Sequence, residues 1–411
     1  MTRPIKVTCP DVPKDIASHH PGTIPKKYAI EVITPLFGGG VEAGKNDPIT
    51  LIRPSSIRGH LRFWWRATRG ARFETVEALR QREGEIWGTA KSASPVTINV
   101  EPVRRREERK PNNHYGFGEY GPEAYVLFAA KQDGNVLCKE GFSFSLELRW
   151  LNHARLQELC RKENGERLKA QQSPLPDIED IGPDIEAAVW AWVNFGGIGA
   201  RTRRGCGALY CTKVEPCLSD LHPPSLEGFA AWLRAKTNTY KFPLLASHDH
   251  RLWPTFPHTI CFRDGNSALA CWKDAVRVLK DFRQGTNVGR DPGTGPRPGQ
   301  SRWPEAESVR RLVASQRSIT ARPASWHTDP RIPSGQFFPR TEFGIPIIFE
   351  IRCEGVPYSK PTDTKPPNLK TTLQPGPEGT RMASPVILRP IRFSDGKTAA
   401  MIAVLNIELL V

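Results

Sequence analysis

Residues 34–72 read TPLFGGGVEAGKNDPITLIRPSSIRGHLRFWWRATRGAR, and the parsing of this stretch decides the fold. A strand-like segment, Ala29 to Leu36, runs into three glycines, Gly38, Gly39 and Gly40, then a loop through Lys45 and a strongly patterned helix. Pro54 brings a preset φ to the helix start, and Ser55 and Ser56 bring hydroxyl caps. Ile57, Leu61, Trp64, Trp65 and Thr68 follow at i, i+4, i+7, i+8 and i+11, which is one face of a helix. Arg58, Arg62, Arg66 and Arg69 occupy the adjoining face, and no acidic residue lies between Arg53 and Arg72. Like charges at i, i+4 cost an isolated helix a few tenths of a kcal/mol per pair, roughly. The pattern therefore predicts a helix that meets a polyanion. Trp64 fits the apolar seam, and Trp65 is the candidate to stack on a base, a contact worth about 1–3 kcal/mol.

Composition points the same way. The chain has 411 residues, 58 basic and 43 acidic, for a formal net charge of +15. That length suggests two domains. The charge favours a polyanionic partner over an acidic small molecule, and its clustering in Arg53–Arg72, Arg104–Lys110 and Arg201–Arg204 separates the chain from a merely basic soluble protein. The Arg104–Lys110 run is interleaved with Glu107 and Glu108 and reads as a solvated loop. No apolar stretch approaches the roughly 20 residues of a membrane span. The first 27 residues hold prolines and acids where a secretion signal needs an apolar core. Nine cysteines without a CxxC pair read as reduced thiols. A cytoplasmic location follows as the expectation.

The remaining pattern gives an α+β chain. Val76 to Trp87 reads as a helix ended by Gly88, Val96 to Val100 and Phe142 to Trp150 as strands, and Tyr125 to Ala129 as a further strand. Asp184 to Phe195 is a helix, followed by the glycine-rich loop 196–207 and a strand from Ala208 to Val214. Strand, helix, strand, strand, helix, strand is the ferredoxin-like order of RNA-recognition modules. A more diverged copy follows: His258 to Phe262 as a strand, Ser267 to Phe282 and Trp303 to Leu312 as helices, a Gly/Pro loop at Thr286–Ser301, and strands at Ile345–Arg352, Val386–Phe393 and Met401–Leu410. Between two of these the proline-rich segment Val356–Pro377 is expected to bulge out. The division is then an irregular leader (1–27), a first ferredoxin-like domain (28–217), a linking region (218–254) and a second, diverged ferredoxin-like domain (255–411).

Several motifs compete for the chemistry. GGVEAGKN at Gly39–Asn46 nearly fits the phosphate-binding loop of nucleotide hydrolases, but Asn46 stands where a magnesium-holding hydroxyl belongs and Asp47-Pro48 blocks a helix start. The second loop, GGIGARTRRGCG, follows a helix and precedes a strand, opposite to a dinucleotide fingerprint. Its glycines admit close approach of a phosphate, and Arg201, Arg203 and Arg204 supply forked donors. Cys206, Cys211, Cys217 and His222 lack zinc-site spacing. His60 is the one acid–base candidate among the basic groups; a helix-surface histidine that stacks on or hydrogen-bonds RNA is the plainer reading, since no second proton-transfer group is fixed nearby.

TPLFGGG with IRPSSIRGHLRFWWRA, and the shorter blocks GGIGARTRRGCGAL, SRWPEAESVRRL and RMASPVILRP, resemble the signature of RAMP proteins, the RNA-binding subunits of CRISPR effector complexes. Among these the resemblance is to the first-named RAMP subunit of type III-B (Cmr) complexes. It implies a ribonucleoprotein subunit of antiviral defence that binds guide RNA and single-stranded target RNA towards the guide 3′ end. It also implies contacts with other RAMP subunits, no cofactor, no metal and no catalysis of its own. The residues it nominates for RNA are Gly38, Gly39, Gly40, Lys45, Arg53, Arg58, His60, Arg62, Trp65, Arg66, Arg201, Arg203 and Arg204. The two glycine loops and the start of the arginine helix are expected to converge on one groove. The enzymatic alternative is a RAMP endoribonuclease that processes guide precursors with His60 as base; the alternative without RNA is a scaffold whose basic loops dock an acidic protein.

Overall fold

The computed structural model describes residues 22–101 (apart from 43–44 and 48–49), 125–127, 137–305 (apart from 217–219, 247–248, 250, 293, 295–300), 308–309, 338–344, 347–351, 369–373 and 383–407. Its first sheet has four antiparallel strands: β1 (Thr23–Val32), β3 (Val96–Val100), β5 (Phe142–Leu151) and β6 (Leu209–Glu215), in the spatial order β3-β5-β1-β6. A two-residue pair, β2 (Leu36–Phe37) with β4 (Leu137–Cys138), stands beside it. Helix α1 (Pro54–Ala67) follows β1 in the chain, and α4 (Gly182–Phe195) lies between β5 and β6. Chain order and spatial order together are the ferredoxin-like arrangement. Alternation sets the faces: Tyr28, Ile30 and Val32 of β1 and Phe144, Leu146, Leu148 and Trp150 of β5 are buried, as the period of two requires.

Helix α1 starts with Pro54 in its first turn and buries Ile57, Leu61, Trp64, Trp65 and Ala67. Helix α4 is buried along nearly its whole length, Asp184 and Asn194 included. Between these, α2 (Val76–Trp87) is capped by the Thr75 hydroxyl and ends at Gly88, whose φ is +79°. Helix α3 (His153–Lys169) has no counterpart in the sequence pattern. Only Leu156 and Cys160 of its residues are buried, so no apolar stripe announces it. Tyr125–Leu127, expected as part of a strand, is helical.

A second sheet has the order β10-β11-β7, from β7 (Thr255–Gly265), β10 (Val386–Arg392) and β11 (Thr398–Asn406), all antiparallel. Helix α6 (Ala268–Gln284) follows β7 and is capped by Ser267. This is the order of the first three strands of the same fold around their first helix. A hairpin of β8 (Ile347–Ile351) and β9 (Leu369–Leu373) stands apart from that sheet. β9 falls within the segment expected to bulge out as proline-rich loop, a correction: Leu369–Leu373 has no proline to interrupt a ladder. The leader to residue 21, the Arg104–Lys110 run, Cys217, and parts of 303–312 and 408–411 lie outside the described residues.

The main core cluster draws on both sheets, while α6 packs on β10 and β11 in a separate cluster of Cys271, Ala275, Leu279, Val386, Leu388 and Ala400. Helix α5 (Phe229–Tyr240) and residues around it bring Trp232, Tyr240, Phe242 and Phe256 around the buried Trp190, with ring centroids 5.3–5.8 Å away. Ile387, Ile391, Phe393 and Met401 from β10–β11 join the cluster formed by β1, β5, α1 and α4.

The buried Arg389 of β10 ties the two sheets together. Its guanidinium donates to the carbonyls of Val193 (3.0 Å), Gly196 (2.7 Å), Leu209 (2.9 Å) and Pro390 (2.9 Å). Burial lowers its pKa to about 9.

His222 is structural. Its Nδ1 meets Asn194 Oδ1 at 2.9 Å, its Nε2 meets the Cys211 backbone, and its ring stacks on Tyr210 at 4.1 Å. Among the described residues no group of three or more His, Cys, Asp or Glu could hold a metal. Burial, opposed in part by the Cys211 backbone and reinforced by Arg389 and Arg392, lowers the His222 pKa to about 4. A histidine held neutral in the fold takes its proton only in the unfolded chain. Its contribution is therefore intact above pH 6.5 and is lost as pH falls from 6.5 towards 4, on the order of 2–3 kcal/mol. The measurement is the His222 imidazole resonance, expected to keep its neutral shift down to pH 5; a midpoint near 6.5 would contradict this packing.

Candidate nucleic-acid interface

The end of β1 is stitched to the second glycine loop. Thr34 Oγ1 donates to Gly205 O (2.6 Å) and accepts from Ala208 N (2.8 Å), and Gly207 N donates to Pro35 O (2.8 Å). The first glycine loop lies on the second: Ala200 N donates to Phe37 O at 2.6 Å, and a Cβ on Gly39 (φ +103°) would sit 3.1 Å from the Gly199 Cα. Gly207 has φ +63°, and a Cβ there would lie 2.0 Å from Ile198 O, so only glycine closes the loop this tightly. Arg53 fastens the start of α1 to the same place by donating to Gly39 O (3.0 Å) and Gly40 O (2.8 Å). The two loops and the helix start do converge.

The arginines then divide into two groups. On α1 and after it, each meets a partner from elsewhere in the chain. Arg62 and Arg66 approach the same oxygen of the buried Glu83, at 2.8 and 3.1 Å. Arg69 and Arg82 each lie 2.6 Å from an oxygen of Asp184, which is fully buried. Arg58 donates to Trp87 O (3.3 Å) and Val96 O (3.0 Å). This corrects the reading of α1 as a stripe of cations awaiting a polyanion. The counter-charges are absent from residues 53–72 because α2 and α4 supply them across space.

Trp65 is corrected as well. It is fully buried, and its indole donates to Asp184 Oδ1 at 2.9 Å, so it cannot face a base. Lys45 pairs with Glu42 at 2.5 Å, both exposed.

At the second loop the picture differs. Arg203 donates to Ser384 O (2.6 Å) and lies 5.0 Å over the ring of Phe63, the residue after Arg62 on α1. Arg204 donates to Val386 O (3.1 Å). Both partners are main-chain carbonyls of the segment leading into and starting β10. Among the described residues neither guanidinium has a carboxylate partner. Burial lowers Arg203 and Arg204 to about 10, Arg204 helped down by Arg283 and its own neighbours. Arg201 sits in the left-handed region (φ 56°), 6.0 Å over Phe37, with its pKa also lowered by burial. With the buried Arg389 below, the half-buried Arg203 and Arg204 set positive charge at this end of the molecule against carbonyl oxygens, with no carboxylate partner among the described residues.

Between α1 and this loop lies a pocket of ≈ 170 Å³, lined by His60, Phe63, Trp64, Phe195, Gly196, Thr202, Arg203 and Ile387. His60 stacks near-parallel on Trp192 (6.4 Å, 17°), and burial lowers its pKa to about 4, so it is neutral at physiological pH. Sequence reasoning missed Phe63, Thr202 and Arg389. Phe63 sits in the quoted FWW run and Arg389 in the RMASPVILRP block, but neither carries a periodicity that gives its role.

The solvent face of the first sheet is a weak alternative. Thr97, Asn99, Ser143, Ser145, Glu147 and Arg149 alternate with its buried positions. A sheet that reads RNA by stacking carries aromatics there.

Residues 29–210 match the sequence model of the RAMP superfamily. "CRISPR system Cmr subunit Cmr1-2" of Pyrococcus furiosus is 25% identical over 198 residues, 44% of this chain and 92% of that protein. "CRISPR system Cmr subunit Cmr1-1" of the same organism is 26% identical over 168 residues, 40% of this chain and 41% of that protein. The crystal structure of apo Cmr1 from Pyrococcus furiosus superposes with a TM-score of 0.48 at 17% identity, covering 94% of this chain and 89% of that one. A chain of the type III-B Cmr-beta complex bound to cognate target RNA and AMPPnP in the presence of single-stranded DNA gives 0.46 at 11% identity over 92% of this chain and 94% of its own. Among the described residues no helix is long and apolar enough to cross a membrane. Residues 29–210, with their ferredoxin-like order and paired glycine loops, are thus similar to the RAMP superfamily over 182 of the 411 residues.

Proposed function

We propose that this protein is a non-catalytic RNA-binding subunit of a type III-B CRISPR effector, holding guide RNA and single-stranded target RNA towards the guide 3′ end beside other RAMP subunits. The observation that carries the reading is the pair Arg203 and Arg204 at the second glycine loop, which meet no carboxylate among the described residues. A cation pays to be desolvated even when half-buried as these two are, unless an anion answers it. These two guanidiniums have carbonyl oxygens in its place, and a phosphate backbone supplies the missing charge through forked donors. The names of the two Pyrococcus relatives support the setting. Against an endoribonuclease, the pocket lining offers no second histidine, lysine, tyrosine or carboxylate among the described residues to share proton transfer with His60.

The test is the salt dependence of single-stranded RNA binding. Arg203→Ala with Arg204→Ala is expected to weaken binding for all sequences and lower the log–log slope by roughly 0.7 for each phosphate no longer neutralised. Arg62→Ala with Arg66→Ala, whose guanidiniums serve Glu83, is expected to leave the slope nearly unchanged. The reverse outcome would return the interface to α1, and binding of an acidic protein with no binding of RNA would favour the scaffold.

A further inference from the structure

The pocket between α1 and the second glycine loop is built for something other than a phosphate. Phosphate is compact and charged and wants donors on all sides, whereas Phe63, Trp64, Phe195 and Ile387 make about half of this wall apolar. We propose that it captures a single unstacked RNA base, with the flanking phosphates outside; this rests on the RNA-binding reading above.

Size is the first argument. Pockets for whole drug-sized ligands run to roughly 300–1,000 Å³, so ≈ 170 Å³ admits one ring system and excludes a nucleotide with its sugar and phosphate. Shape is the second. The rings are fixed before any ligand arrives: Phe63 meets Trp64 edge-on at 5.3 Å, and Trp64 meets Phe195 at 6.2 Å. Trp192, which braces His60 from behind, is itself anchored by donating to Gly197 O at 2.8 Å. Flat walls of this kind suit a π face and place no demand on base identity.

The polar groups are the third argument. His60 makes no hydrogen bond among the described residues, and a neutral imidazole offers one donor and one acceptor, as the edge of a base does. The Thr202 hydroxyl can play either part. Arg203 adds donors to the lining, where its guanidinium lies on Phe63. One cation thus shares the pocket with uncharged hydrogen-bonding groups and rings. An aromatic side chain from a neighbouring protein subunit is the competing occupant, and it would make the pocket indifferent to RNA.

The experiment uses the full chain and the shortest single-stranded RNA that binds at full affinity, so that the register is fixed. Each nucleotide in turn is made abasic. One position is expected to cost about tenfold in affinity and the others less than twofold. Thr202→Trp, which puts an indole into the lining, is expected to keep salt-dependent binding but flatten that profile. A 2-aminopurine at the sensitive position should change its fluorescence on binding the wild type and not on binding T202W. Should T202W fail to fold, the wild-type abasic profile and the 2-aminopurine signal decide alone. A uniform profile with intact salt-dependent binding overturns the base pocket and leaves the RNA-binding reading standing. Absence of all salt-dependent RNA binding in the wild type overturns both.

Discussion

Asp184→Ala is expected to destabilise the protein by about 3–5 kcal/mol, the range for removing one partner of a buried charge pair. Asp184 is fully buried at the start of α4 and accepts from three groups: the Trp65 indole at 2.9 Å, Arg69 at 2.6 Å and Arg82 at 2.6 Å. Removing it leaves two guanidiniums that are themselves about 95% covered, and an indole N–H with no acceptor. Asp184→Asn keeps the shape and loses the charge, and is expected to fall between wild type and alanine. Chemical denaturation of the three proteins measures it. A destabilisation under about 1 kcal/mol, the ordinary size for a point substitution, would mean that Glu179, 3.9 Å from Arg82, takes over the role.

Arg389→Met should be comparably costly, for a different reason. The side chain has no carboxylate to lose; it satisfies four main-chain carbonyls, including two at the C-terminal end of α4. An acceptor left unsatisfied in the interior costs about 1–3 kcal/mol, while removing an unmatched buried charge returns part of that. A net destabilisation of about 3 kcal/mol by denaturation is the expected result, together with weaker RNA binding, because Gly196 begins the loop that carries Arg203 and Arg204. Reduced stability with RNA affinity unchanged would separate the clamp from the loop.

The first ferredoxin-like unit was legible because its signals are periodic: alternation in β1 and β5, a 3.6-residue stripe in α1, and glycines where the backbone turns. The convergence of the two loops was also legible, since adjacent elements of a known order leave few places for them to go. What could not be read was pairing at a distance. Arg62 with Glu83 and Arg69 with Asp184 are separated by 21 and 115 residues, so a run without acids looked unpaired when the fold neutralised it. Trp64 and Trp65 are neighbours a helical step apart, and periodicity assigned the seam to one and the groove to the other. The structure keeps Trp64 in the seam, where it also borders the pocket, and corrects Trp65, whose indole Asp184 holds inside.

The seam at Ser384, Val386 and Arg389 bears on how such a chain can vary. Arg203 and Arg204 donate to one short segment nearly two hundred positions later, and the carbonyls of Val193, Gly196 and Leu209 accept from Arg389 of the same segment. All of those bonds end on main-chain carbonyls, so apart from the three arginines the side chains around them are free to drift while the backbone path is not. Insertions can accumulate between α6 and β10 without disturbing the loop, but a one-residue slip of β10 would present the wrong carbonyls to both arginines and withdraw the clamp. Chimaeras between relatives should therefore carry residues 196–209 and 384–390 from the same parent, whatever is exchanged between them.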